Sequence, residues 1–131
     1  MTDLAHADAG QLYETVATAC QVMAACGVLD HLSARVSDGE LLVRCRGPHE
    51  SGLAYTTSDD IRLVPLAGPR DIGAWTVPNE LAIHTEIMRR RPEVTAVVHA
   101  HHPSVVVHLA RRRPVAAGLR LVRYPRRASG R

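Results

Sequence analysis

The 131-residue chain has no phenylalanine, and all 16 of its basic residues are arginine, so it has no lysine either. Without lysine, Schiff-base chemistry on a carbonyl substrate, pyridoxal-phosphate catalysis and a Walker-type phosphate lysine are excluded. Cysteines are few: Cys20, Cys26 and Cys45 are odd in number, show no C-x-x-C spacing and sit in apolar stretches. That pattern excludes a structural zinc knuckle and reads as buried free thiols of a reducing compartment. No apolar run approaches the ~18 residues of a membrane span. Residues 1–11 carry acids and no basic stretch ahead of an apolar core, which argues against a secretory signal. A cytoplasmic location with no membrane partner is the expectation.

What is present looks globular. Apolar residues make 46% and charged residues 22% of the chain, enough for one domain that buries roughly two-thirds of its unfolded surface. Charge is divided unevenly: residues 1–110 hold 8 arginines against 13 acids, whereas 111–131 hold 8 arginines and no acid. The reading is a body over 1–110 followed by an Arg-rich C-terminal tail over 111–131. Such a tail suits an anion, but it has one aromatic, Tyr124, and no recognition motif, so nucleic acid is disfavoured against a solvated arm.

Leu12, Val16, Ala19, Cys20 and Met23 recur at helical spacing and predict a helix over about 10–26, stopped by Gly27. Runs at 32–36 and 41–45 flank an Asp38-Gly39 pair and predict an antiparallel hairpin. Thr56 to Asp60 predicts one capped helical turn, followed by a strand over 61–66. Thr76 as cap, Pro78 and Glu80 signal a second helix running to Arg91, where Pro92 ends it. A strand over 94–100, a helix over 103–112 and a last strand over 119–123 complete the pattern.

The sharpest chemical signal is His99-Ala100-His101, because residues two apart on a strand share a face and can set two imidazoles on one cation. With eight histidines in the chain, a chance pair on a solvated strand is the competing reading. Glu80 and His84 lie one helical turn apart on a helix that runs into that strand, so a carboxylate ligand or proton-moving base could join the histidines. The bland alternatives are a Glu80 that caps its helix and a His84 that packs, hydrogen-bonded, in the core.

The string PNELAIHTEIMRRRPEVTAVVHAHHP, from Pro78 to Pro103, resembles the signature of the class II aldolase/adducin family. There a glutamate opens a helix with a histidine four residues on, R-P-x-V follows, and a strand finishes in H-x-H-P. Upstream, Asp30-His31-Leu32-Ser33-Ala34-Arg35, Arg46-Gly47 and a Thr-rich turn agree, so the resemblance covers roughly residues 10–110. It implies an α/β fold, an αβα layered sandwich around a central, mostly antiparallel sheet. It also implies His99 and His101 as metal ligands, usually for zinc but for manganese or another divalent ion in some members, and Glu80 as acid/base. Substrate contacts would come from His31, Ser33, Arg46, Gly47 and Asn79. Assembly would be a homo-oligomer, commonly a cyclic tetramer with its site at a subunit interface.

Two departures shape the expectation. Only Val28, Leu29 and Asp30 separate Gly27 from His31, where phosphosugar members carry a glycine-rich turn that cradles phosphate. Pro78-Asn79 also replace serines that help hold it. A non-phosphorylated, carboxylated substrate fits better, with Arg44 or Arg46 as its partner or simply as surface arginines. Second, the family's third metal histidine lies beyond the end of this chain, and neither His102 nor His108 is a natural substitute. The chain thus reads as a shortened or frame-shifted member whose sheet lacks strands and exposes an edge and part of its core. The expected function is a metal-dependent lyase that performs retro-aldol cleavage or decarboxylation of a small hydroxy or keto acid or sugar-like substrate. The alternatives are a non-catalytic aldolase/adducin-like interaction module and an anion-binding protein working through the tail.

Overall fold

A computed structural model describes residues 9–28 and 30–110. The first helix, α1 (Ala9–Ala25), closes on Gly27 at φ 67°, where the Val28 N–H bonds the Met23 carbonyl at 2.9 Å and the Gly27 N–H bonds that of Ala24 at 3.0 Å. This is a glycine-dependent helix stop that satisfies carbonyls left over at the helix end. Strands β1 (Asp30–Arg35) and β2 (Glu40–Arg44) pair antiparallel, with Ser33 opposite Val43 and Arg35 opposite Leu41. The Asp38-Gly39 turn joins them as the sequence predicts. A 3-10 turn, Ser58–Asp60, leads into β3 (Ile61–Pro65), and the Thr57 N–H donates to the Asp60 carboxylate at 2.9 Å.

Helix α2 (Leu81–Arg90) carries the chain to β4 (Ala96–Ala100), and α3 (Pro103–Ala110) follows. The sheet is entirely antiparallel, in the order β3-β2-β1-β4. Alternation along β2 sends Leu41 and Val43 to one face and Leu42 to the other, and all three are fully buried. Leu41, Val43, Val64 and Val97 pack beneath Leu81 and Met88 of α2. On the opposite face Leu32, Leu42 and Ile61 meet Val16, Ala17 and Cys20 of α1. The result is the expected αβα sandwich, with one core on each side of the sheet.

Two expectations change. Helix α2 begins later than a Thr76 cap would place it. The Thr76 N–H and carbonyl are already bonded to the Arg46 backbone at 2.8 and 2.9 Å, so Thr76 cannot start a helix. Of the cysteines, Cys20 and Cys45 are buried, and desolvation pushes both thiols up to about 11, but Cys26 is exposed just past the end of α1. The expected strand over 119–123 and the Arg-rich segment lie outside the described residues. Val98 of β4 and Val105, Val106 and Val107 of α3 are exposed. Among the described residues no helix is long and apolar enough to cross a membrane.

Candidate metal centre

The pairing of β1 with β4 builds the site. In that register His31 stands opposite His99, and Asp30 stands opposite Ala100, between the two histidines of the H-x-H. The imidazoles of His99 and His101 lie 5.0 Å apart, centre to centre, at a steep angle of 65°. One Asp30 carboxylate oxygen is 3.2 Å from His99 Nδ1 and 3.1 Å from His101 Nε2, and the other is 3.1 Å from His31 Nε2. His31 Nε2 is also 3.5 Å from the Glu80 carboxylate. Sequence reasoning missed Asp30 as a site residue. Its one signal was its place beside His31 in a run already matched to the family pattern.

Glu80 occupies the N-cap position of α2. Its side chain is 36% exposed, so it stays reachable from solvent while contacting His31. Of the two α2 residues that could join the histidine pair, Glu80 contacts His31, whereas His84 turns into the core as a packed, hydrogen-bonded histidine, the alternative reading of that residue. His84 is fully buried, with Nδ1 2.8 Å from the Ser33 hydroxyl. The structure therefore places Ser33, named as a substrate contact, behind the site, where its 0% exposure leaves nothing for a substrate to touch.

Arg46 and Gly47 sit beside the Thr76 bridge that leads to Asn79 and Glu80, and Arg46 and Asn79 are both exposed. Gly47 has a local reason to be glycine: a Cβ there would lie 2.5 to 2.9 Å from ring carbons of Trp75. Arg44 is buried and already committed, its guanidinium paired with Glu50 and its Nε donating to the Thr56 hydroxyl at 2.8 Å. Desolvation pushes Glu50 up, but hydrogen bonds from Arg44 and the Gly52 N–H, with the charges of Arg44 and Arg46, hold it below its ordinary value. Arg44 thus has an internal carboxylate instead of a substrate's.

Burial favours the neutral imidazole at His31 and His84. Burial pushes His31 below its ordinary value, and the attraction of Asp30 and Glu80 offsets this only in part. His84 is lowered by burial first and then by His31 and His99. Neutral imidazole is the form that binds a cation. Asp30, His99 and His101 present one ligand atom each within 4.8 Å of one another, and so do Asp30, His31 and Glu80. His99 Nδ1 is buried without a hydrogen bond, despite its closeness to Asp30. A buried ring nitrogen next to a carboxylate yet unaligned with it is a donor set that suits a divalent cation.

The model of the class II aldolase and adducin N-terminal domain matches residues 12–120. The chain is 50% identical over 112 residues to 3,4-dihydroxyphthalate decarboxylase of Arthrobacter keyseri, a match covering 79% of this chain and 44% of that protein. It is 38% identical over 74 residues to methylthioribulose-1-phosphate dehydratase of Methylococcus capsulatus, covering 56% and 34%. The crystal structure of l-fuculose-1-phosphate aldolase from Thermus thermophilus superposes with a TM-score of 0.57 at 31% identity, over 76% of this chain and 49% of that one. The chain spans less than half the length of the curated relatives it matches. With the family model matching most of its length and the layered fold superposing on a solved aldolase, the chain belongs to the class II aldolase and adducin family.

Proposed function

We propose that this chain acts in a metal-dependent lyase of the class II aldolase type, and that its reaction is decarboxylation of a small, carboxylated hydroxy-aromatic or hydroxy-acid substrate. The observation that carries the reading is the linkage of Glu80, through His31 and Asp30, to the paired imidazoles of His99 and His101 at one end of the sheet. Identity to 3,4-dihydroxyphthalate decarboxylases supports decarboxylation over phosphosugar cleavage, as does the Val28-Leu29-Asp30 segment before His31, which lacks the glycine-rich turn of a phosphate cradle.

His99 and His101 hold the cation, zinc by preference and manganese or another divalent ion as the alternatives. When bound, the cation supplies Lewis-acid polarisation of substrate oxygens. Glu80 is the acid/base. As the bond to the departing carboxylate breaks, its electron pair stays on the substrate carbon, carbon dioxide leaves, and Glu80 delivers the proton that takes its place. Glu80 then regains a proton from water, to which its position at the head of α2 leaves it open. His31, within 3.5 Å of Glu80, orients that carboxyl group. Arg46, Gly47 and Asn79 form the rim on which the substrate is positioned, and Ser33, fully buried, holds His84 in the core. We further propose a cytoplasmic homo-oligomer, a tetramer by family pattern, with its site at a subunit interface.

The test is turnover of 3,4-dihydroxyphthalate by the full chain loaded with Zn2+ or Mn2+, followed as carbon dioxide release. Glu80→Gln should lower turnover by about 100-fold or more, with an unchanged far-ultraviolet dichroism spectrum, and EDTA should abolish it. Turnover that survives both changes, or its absence from the metal-loaded wild type, overturns the reading.

A further inference from the structure

We propose that Asp30 is itself a protein ligand of the cation, so that Asp30, His99 and His101 form a two-histidine, one-carboxylate centre and Glu80 is left free to move protons. The inference rests on the reading that His99 and His101 hold a metal, and it assigns the third place to a residue of this chain.

The argument is geometric. Around a tetrahedral cation with bonds of about 2.0–2.1 Å, neighbouring ligand atoms stand about 3.3 Å apart. Asp30 Oδ2 lies 3.2 Å from His99 Nδ1 and 3.1 Å from His101 Nε2, close to those two tetrahedral edges. Hydrogen bonding does not explain the first contact, because His99 Nδ1 is buried and has no hydrogen-bond partner. The carboxylate is itself only 11% exposed and three imidazoles surround it. Among the described contacts no arginine reaches it, so no fixed positive charge offsets its burial. A divalent cation in the gap between Oδ2, Nδ1 and Nε2 would satisfy the orphaned nitrogen and the carboxylate together.

The assignment also separates two roles that share one region. Asp30 Oδ1 faces His31 and Oδ2 faces the histidine pair, while Glu80 touches only His31 within this group. Asp30 thus holds the cation with one oxygen and braces His31 with the other, an outer contact of the kind that fixes the orientation of groups around a metal.

The test uses Co2+ as a probe of coordination, titrated into the full-length chain and read by visible absorption and by calorimetry. The wild type should take up one Co2+ with the strong absorption of a four-coordinate site. Asp30→Ala and Asp30→Asn should lose that absorption and weaken binding by at least about 100-fold, beyond the usual effect of removing an outer-shell partner. Asp30→Glu, which keeps the carboxylate, should restore much of both and guards against mere misfolding of the shorter variants. An unchanged spectrum and affinity in folded Asp30→Asn overturns the assignment and leaves the histidine reading standing. Unaltered binding in the His99→Ala/His101→Ala double variant, or no uptake by the wild type, overturns the histidine reading as well.

Discussion

At the scale of single residues, Gly47 shows how a family-pattern glycine can have a packing cause. Its missing Cβ makes room for the indole of Trp75, which in turn stacks under the Arg62 guanidinium at 3.9 Å. Gly47→Ala should therefore destabilise the fold by about 1–3 kcal/mol through overpacking, measured by urea denaturation. Trp75→Leu in the same chain should remove most of that penalty, since the two changes meet at one contact. Additive losses in the double variant would show that Gly47 matters for another reason, such as backbone approach to substrate. Asp30 is the opposite case, a site residue that reading the sequence did not find. In a regular pleat a residue opposite Ala100 belongs to the face away from His31 and His99. Only the placement of Asp30 at the extreme end of β1 lets its carboxylate reach all three imidazoles, and strand ends are where periodicity carries least information.

At the scale of elements, α2 positions the site, and Arg35 anchors it. Its guanidinium donates to the Met88 carbonyl at 2.6 Å in the last turn of α2 and to the Val94 carbonyl at 2.9 Å just before β4. It thereby satisfies an orphan carbonyl at a helix C-terminus and ties α2 and β4 to β1. Arg35→Met keeps the apolar stem and removes the donors. It should cost about 1–3 kcal/mol in urea denaturation, and an unchanged midpoint would mean that water replaces the guanidinium without loss. Most elements were legible in the sequence: the α1 period with its Gly27 stop, the Asp-Gly hairpin and the β-branched run into H-x-H each have a local physical cause. The start of α2 was not, because Thr76 looks like a cap until the backbone of Arg46 is known to claim it. Nor was the choice of partner for Glu80. Spacing along a helix set Glu80 and His84 side by side towards the H-x-H, but Glu80 stands at the N-cap and meets His31, while Ser33 of β1 holds His84 in the core beneath α2.

For the molecule as a whole, the buried imidazole of His84 couples the stability of the fold to pH. The sheet carries a core on both faces, and His84 sits on the α2 side with no exposed surface. Its Nδ1 is satisfied by Ser33, and its Nε2 has no partner. Burial, reinforced by the nearby His31 and His99, holds its affinity for a proton below the ordinary value of 6.5, and burial lowers His31 in the same direction. The unfolded chain titrates these groups near that ordinary value, so between it and the depressed native values the unfolded state binds more protons. Stability then rises with pH, is fully present above about 6.5, and is lost as the pH falls below it. Thermal unfolding in EDTA should show a midpoint that is flat from pH 8 to about 6.5 and declines below that. In His84→Gln, which keeps a hydrogen-bonding group for Ser33 but cannot take up a proton near neutrality, the decline should be shallower. A variant whose midpoint falls as steeply as the wild type's would show that His84 does not supply the coupling. Because neutral imidazole also binds the cation, saturating Zn2+ should raise the midpoint most at pH 7–8, and progressively less as protons compete for the same nitrogens near pH ~5.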